Sequence, residues 1–289
     1  MVLAMIPGET RSFGGHPMSQ QGQWQVGGSA PEVYQRELVP AVFGAWAPIL
    51  VDLAQPKPGE RVVDIACGTG IIARIAAVKV GPTGAVAGID LNPGMLTVAR
   101  SLEAGNDAAP MQWHEASADR LPLPDDSFDI AYCQLGLQFF ADRLSALREM
   151  RRVLSSKGRL ALMVWCGIHE SPGFNSFAET LERNVSSAAA SIMRAPFGLA
   201  DADELNRLVA AADFRGIRVQ RKVGTVEFPS VERFVLGYVA GSPLAGHVSQ
   251  ATDAARERLI IDARSALEKY VGNRGLSFPI AAHLLTANV

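Results

Sequence analysis

Between Arg61 and Cys166 five short apolar runs are interleaved with stretches of helical periodicity, and this alternation restricts the fold more than any other feature. "RVVDIA" (61–66), "AVAGID" (85–90), "MQWHEAS" (111–117), "DIAYCQL" (129–135) and "RLALMVWC" (159–166) are brief, largely apolar and rich in β-branched or aromatic residues. Strands of this kind are buried on both faces, as in a parallel sheet covered by helices. "IIARIAAVKV" (71–80), "NPGMLTVARSLEAG" (92–105) and "DRLSALREMRRVLSSKG" (142–158) carry the 3.6-residue period. Asn92 is placed to cap the second of these helices, with Pro93 at its first position and Gly105 at its stop. Repeated βα units predict an α/β fold with a doubly wound, mostly parallel sheet.

Outside this core the rhythm changes. Residues 1–30 are rich in Gly, Gln, Ser and Pro without periodicity and read as a mobile arm, with Met18 an alternative start. Val33, Leu38, Val42, Trp46 and Leu50 then mark a helix that Pro40 should break or kink, and Tyr34, Phe43 and Trp46 on it are candidates for a lid. Residues 167–213 and 229–271 read as helical insertions flanking a strand at 216–228. The final stretch, "GLSFPIAAHLLTANV", reads as a strand whose Pro279 suggests a sheet margin or a bulge. One domain is expected over 31–289, with a ligand-binding core at 61–166 and the two insertions covering a second site.

In an open parallel sheet, ligands sit beyond the carboxyl ends of the strands. Gly68 and Gly70 follow the first strand there, where their backbone can approach a ligand closely. Asp90 closes the second strand about 20 residues on, the spacing at which an acid reaches ribose hydroxyls. A phosphate-binding loop of the Lys-Ser/Thr kind does not fit, since Ile71 and Ile72 follow the last glycine. A dinucleotide loop lacks its third glycine, although Ala73 stands at that place and alanine is tolerated there.

The residues that follow narrow the choice. "VVDIACGTG", "GIDLNPGMLTVAR", "ASADRLPLPDDSFDIAYCQLGLQFF" and "ALREMRRVLSSKGRLAL" resemble the class I S-adenosylmethionine-dependent methyltransferases, most nearly the type 11 group named for ubiquinone and menaquinone biosynthesis. The resemblance is dense over 61–165 and implies a Rossmann-like, seven-stranded fold with S-adenosyl-L-methionine as cofactor and S-adenosyl-L-homocysteine as product. It implies that Asp64, Ala66, Gly68 and Gly70 cradle the methionine portion, that Asp90 holds the ribose, and that Leu91 and Met95 lie against the adenine. Ser117 and Ala118 stand where the group commonly has an acid followed by alanine, and Asp119 could share that contact. Gln134, Leu135 and Gln138, which follow the fourth strand, complete the cofactor-binding set that the resemblance implies. Gln138 and Phe139 occupy the places where many relatives carry a histidine pair, so a role for the first histidine does not transfer. Signature stretches of the quinone-pathway members are missing before Arg61, which counts against quinone methylation in particular.

Methyl transfer needs alignment and exclusion of water more than a fixed triad, and a base only if the acceptor must lose a proton. His169, just after the fifth strand, is the candidate base; His114 and His283 read as structural. Trp165, Phe139 and Phe140 are candidates for an acceptor wall. Cys67, Cys133 and Cys166 fall at strand ends without metal-ligand spacing, so no metal is expected. Thiol modification there is expected to impair cofactor binding. With 48% hydrophobic and 19% charged residues and a formal net charge of −2, the chain reads as a globular cytoplasmic protein without a nucleic-acid partner. No apolar run approaches the roughly 18 residues of a membrane span. The expected function is methyl transfer to O, N or C of a small, apolar organic acceptor, with a homo-oligomer left open. The alternatives are a nicotinamide-dependent oxidoreductase and a catalytically silent S-adenosylmethionine-binding protein.

Overall fold

The structure, a computed structural model, describes residues 27–289. The arm expected over 1–30, Met18 included, lies outside the described residues up to position 26. The sheet runs β3-β2-β1-β4-β5-β8-β6, with a two-residue β7 paired to β8. Its strands are β1 (Arg61–Ile65), β2 (Ala85–Asp90), β3 (Met111–Glu115), β4 (Phe128–Gln134), β5 (Leu154–Trp165), β6 (Arg215–Phe228), β7 (Val271–Gly272) and β8 (Gly275–Asn288). The first five are mutually parallel, and β8 runs antiparallel between β5 and β6. This is the mostly parallel α/β sheet expected, with one short strand more than seven.

The period-2 rule divides the core. Val62, Ile130, Tyr132, Ala161 and Met163 point to one face, and Val63, Ile65, Ala131, Cys133 and Leu162 to the other. Helices α3 (Ile71–Val80), α4 (Pro93–Ser101) and α5 (Arg143–Val153) supply the crossovers. Asn92 caps α4 as expected, its Oδ1 accepting from the N–H groups of Gly94 at 2.8 Å and Met95 at 3.2 Å. That helix stops at Ser101, four residues short of Gly105. The third crossover helix also ends early. Leu154 is already strand, because it pairs with Phe128 ahead of an irregular stretch of β5 that bulges out before pairing resumes at Arg159 and Ile130.

At the N-terminus, α1 (Ala30–Val33) passes into a π-helix, Tyr34–Phe43, and then into α2 (Ala47–Leu53). Pro40 therefore neither breaks nor simply kinks the run. It lacks an N–H, and the wider turn spreads the misfit; Gly44 N–H reaches back five residues to the Val39 carbonyl at 2.6 Å. Pro279 also has a place. It lies on β8 beyond Ala282, the last β8 residue paired with β5, so only β6 needs hydrogen bonds from that stretch.

The later helices are α6 (Pro172–Asn184), α7 (Ser187–Arg194), α8 (Ala202–Ala211), α9 (Val231–Ala240), α10 (Leu244–Ser249) and α11 (Asp253–Leu267). Aromatic rings seat them on the sheet. Phe174 meets Phe278 of β8 edge-on at 5.3 Å, and Phe177 and Phe234 lie 5.1 Å apart. Tyr238 of α9 joins this cluster, 5.3 Å from Phe174.

Candidate active site

The carboxyl ends of β1, β2 and β4 open onto one cavity of about 210 Å³. The glycine loop forms its floor. Gly68 lines it at φ +53°, and Gly70 caps α3 at φ +79°. Both angles favour glycine. At Gly70 a Cβ would also lie 2.4 Å from the Trp113 ring, which packs over the loop from β3. The Thr69 carbonyl accepts from Arg74 Nη1 at 2.5 Å, which ties the loop to its helix. Two non-glycine residues on the wall, Ala66 (φ +56°) and Leu135 (φ +60°), adopt the left-handed conformation just past β1 and β4. Such strain costs about 1–3 kcal/mol and gathers at functional sites.

Two carboxyls serve the loop differently. Asp64 is 1% exposed and lies behind the wall; its Oδ2 accepts the Ala73 N–H at 3.0 Å. Burial pushes its pKa up to about 8. Asp90 faces the cavity, with Oδ2 accepting the Gly68 N–H at 2.7 Å and Oδ1 the Asn92 N–H at 2.8 Å. Burial raises its pKa too, against the opposing pull of those backbone donors. A carboxylate can accept about four hydrogen bonds, so these backbone donors leave room for a hydroxyl.

The other side of the cavity is built from distant parts of the chain. Trp165 closes β5, Pro196 lies between α7 and α8, Tyr238 comes from α9, and Tyr34 and Phe43 stack at 5.2 Å on the π-helix. Burial pushes the phenols of Tyr34 and Tyr238 far above their ordinary range, so both stay protonated. Gln138 occupies a 3-10 turn after β4. It is 3% exposed, it lines the cavity, and neither Nε2 nor Oε1 has a hydrogen-bond partner.

Among the residues expected at the site, Ala66, Gly68, Asp90, Leu91, Met95, Ala118, Gln134, Leu135 and Gln138 share this cavity. Asp64, Gly70 and Ser117 stand outside its lining, and Asp119 is exposed. Gln134 has a structural duty as well, its Nε2 donating to the Phe43 carbonyl at 3.2 Å. Phe139, Phe140 and Trp165 line the cavity, whereas Trp46 is core.

The candidate base is a correction. His169 is exposed in the turn Ile168–Glu170 and does not reach the cavity, because the chain leaves β5 through Gly167 and turns outward. His283 Nε2 meets the Ala200 carbonyl at 2.9 Å, a structural contact. Tyr238 and Pro196 were missed, since no motif marks them. The three thiols are buried, and burial pushes Cys133 up to about 12 and Cys166 to about 11. Thiolate is the reactive form, so burial of this kind slows reaction with modifiers. Among the described residues no His, Cys, Asp and Glu cluster could hold a metal, and no helix is long and apolar enough to cross a membrane.

Comparison with known proteins agrees with this geometry. Residues 63–162 match the family described as Methyltransferase domain. The Ubiquinone/menaquinone biosynthesis C-methyltransferase UbiE of Xanthomonas campestris is 42% identical over 123 residues, which cover 42% of this chain and 49% of that protein. The 2-phytyl-1,4-naphtoquinone methyltransferase of Synechococcus elongatus is 36% identical over 150 residues, covering 50% of this chain and 63% of that one. The matched stretches thus span about half to just under two thirds of these curated relatives. The fold also matches a phosphoethanolamine N-methyltransferase of Haemonchus contortus solved with S-adenosylhomocysteine, at TM-score 0.55 and 16% identity over 89% of this chain and 56% of that one.

Proposed function

We propose that this chain, whose residues 63–162 match the Methyltransferase domain family, is an S-adenosylmethionine-dependent methyltransferase acting on a small, largely apolar acceptor. The observation that carries the reading is Asp90. It is the acid on the cavity wall, it closes β2, and it is bonded to the glycine loop at Gly68.

The residues present fit the cofactor. Asp90 would hold the ribose hydroxyls, Leu91, Met95 and Ala118 supply an apolar slot for the base, and Ala66 with Gly68 forms a backbone cradle that side chains do not fill. Bound there, the cofactor would supply an electrophilic methyl group on a sulfonium. The protein's share is then alignment and exclusion of water. Tyr34, Phe43 and Trp165 close the cavity with rings, and the Gln134–Phe43 bond fixes the π-helix over it. Among the described residues the wall carries no His, Lys, Arg or Glu, so proton transfer by a strong protein base is not part of the reading. The helices of 167–213 and 229–271 send Pro196 and Tyr238 into the cavity, which supports their role in choosing the acceptor.

Calorimetric titration with S-adenosylmethionine, S-adenosylhomocysteine and NADH tests this. Micromolar binding of the first two, weakened at least tenfold in Asp90→Ala, is expected. Preference for NADH would favour an oxidoreductase and overturn the reading.

A further inference from the structure

We propose that the protein carries a second ligand site, at the margin of the sheet opposite the candidate active site, and that this site takes the phosphate group of a small, soluble phosphoester. It is independent of the function proposed above and would stand if that reading fell.

At this margin β5, β8 and β6 border a pocket of about 450 Å³, a size usual for small-molecule sites. Arg159 pairs with Ile130 near the start of β4, whereas Gln134 at the end of β4 lines the active-site cavity. The strand register gathers the wall. Arg159 pairs with Asn288, and Arg218 with Thr286. Opposed residues of an antiparallel pair project to the same face, and so do Thr286 and Asn288, which alternate along β8. All four therefore share one face, beneath the carboxyl end of α2, where Gln55 and Lys57 complete the wall.

Arg218 reaches this face because β6 bulges. Arg215 pairs with Asn288 and Arg218 with Thr286, so β6 advances three residues where β8 advances two. Without the extra residue Ile217 would oppose Thr286, and Arg218 would point to the other side of the sheet. Instead Ile217 packs on the core of that other side, and the guanidinium joins the pocket. Gly216, at φ +59°, is the residue that accommodates the bulge. A Cβ there would lie 2.9 Å from Asn288 Nδ2, so the bare glycine also leaves the amide its place on the wall.

The charges on this wall are unbalanced. No Asp or Glu lines the pocket. Arg159 is held from behind: Nη1 and Nη2 meet the two Glu60 carboxyl oxygens at 2.9 and 2.7 Å, Nη2 also donates to the Gln55 carbonyl at 2.9 Å, and Nε donates to the Ala54 carbonyl. Glu60 also accepts the Lys57 N–H at 2.7 Å, and its charge is felt by the Lys57 ammonium. It offsets one of four cations. Lys57, Lys157 and Arg218 are exposed, and among the described residues none of them forms a salt bridge.

Three uncompensated cations in one pocket suit a ligand with more than one negative charge and several acceptor oxygens. A phosphate monoester carries about two charges near neutral pH, whereas a carboxylate brings one. The Arg218 fork matches a pair of phosphate oxygens, and the lysines add point charges. Gln55, Thr286 and Asn288 supply hydrogen bonds for the oxygens and for hydroxyls on the ligand's body. A nucleic acid would require a basic stripe, but these cations sit in one pocket of a chain of net charge −2. A phospholipid headgroup shares the phosphate chemistry. Yet none of the large exposed apolar side chains among the described residues lines the pocket, so nothing there would enter a bilayer.

The test titrates pyrophosphate, glycerol 3-phosphate and acetate calorimetrically into the full chain at about 0.15 M salt, which screens loose surface attraction. Wild type should bind both phosphate probes with Kd below about 1 mM and should not bind acetate. Lys157→Ala with Arg218→Ala should weaken both at least about tenfold. The pair Arg148→Ala with Arg258→Ala removes the same charge from exposed positions outside the pocket, and should leave affinity within about twofold. Pyrophosphate should also raise the urea midpoint of wild type and not that of the Lys157/Arg218 variant. The proposal is overturned if neither phosphate probe binds, if acetate binds as tightly, or if the two double variants lose affinity equally. Phosphatidylglycerol vesicles that sediment the protein while neither soluble probe binds would assign the pocket to a membrane, and would overturn it as well.

Discussion

Replacing Asp64 by Asn should make the protein more stable at neutral pH, by a margin that shrinks steadily as the pH is lowered. Asp64 is 1% exposed, and burial raises its pKa from 3.8 to about 8. Between those values the unfolded chain has released this proton while the folded chain still holds it. Stability therefore falls as pH rises across the window, by up to about 1.4 kcal/mol per pH unit. From pH 5 to pH 7 the loss is about 2.7 kcal/mol, a large share of a typical total of roughly 5–15 kcal/mol. Asparagine has no proton to lose, and its amide oxygen can still accept the Ala73 N–H that Asp64 Oδ2 accepts at 3.0 Å. Asp90, also raised by burial, is present in both proteins and largely cancels in the difference. Urea unfolding of wild type and Asp64→Asn at pH 5, 6, 7 and 8 reads this directly. The stability gap should widen with pH and level off above about pH 8. A gap constant to within about 0.5 kcal/mol across the series would show that Asp64 is ionised in the fold and would refute the reasoning.

Two further outcomes follow from the loop and the thiols. Gly70→Ala combines a left-handed backbone, about 1–2 kcal/mol for a side chain, with a Cβ 2.4 Å from Trp113; the urea midpoint should drop by the equivalent of about 2–4 kcal/mol. An unchanged midpoint would mean that Trp113 swings aside freely. Cys67, Cys133 and Cys166 should react with an aromatic disulfide reagent about a hundredfold more slowly in the native protein than in urea, because all three are buried with raised pKa. Rapid native labelling at Cys67, slowed by S-adenosylhomocysteine, would restore the expectation drawn from its place at a strand end.

The order of β1 to β5, the glycine loop, the Asn92 cap and Asp90 were all legible in the sequence, because local rules dictate each of them. A two-residue period marks a strand, a positive φ favours glycine, and a side-chain oxygen at a helix start meets free N–H groups. Pro40 shows the limit of such rules. It announced a disturbance of the helix, yet only the structure showed that the disturbance is a π-helix spread over Tyr34–Phe43. Proximity in sequence misled at His169, which follows β5 as a base might but turns into solvent at Gly167. What the tertiary structure alone decided is the far wall of the cavity. Tyr238 and Pro196 reach the cavity from helices after β5 that carry no motif, and the orphaned amide of Gln138 is visible only once every neighbour is in place. A cofactor loop is made by residues near one another in the chain, whose spacing records it. The far wall of the cavity is made by residues from distant segments, and their only common record is the fold.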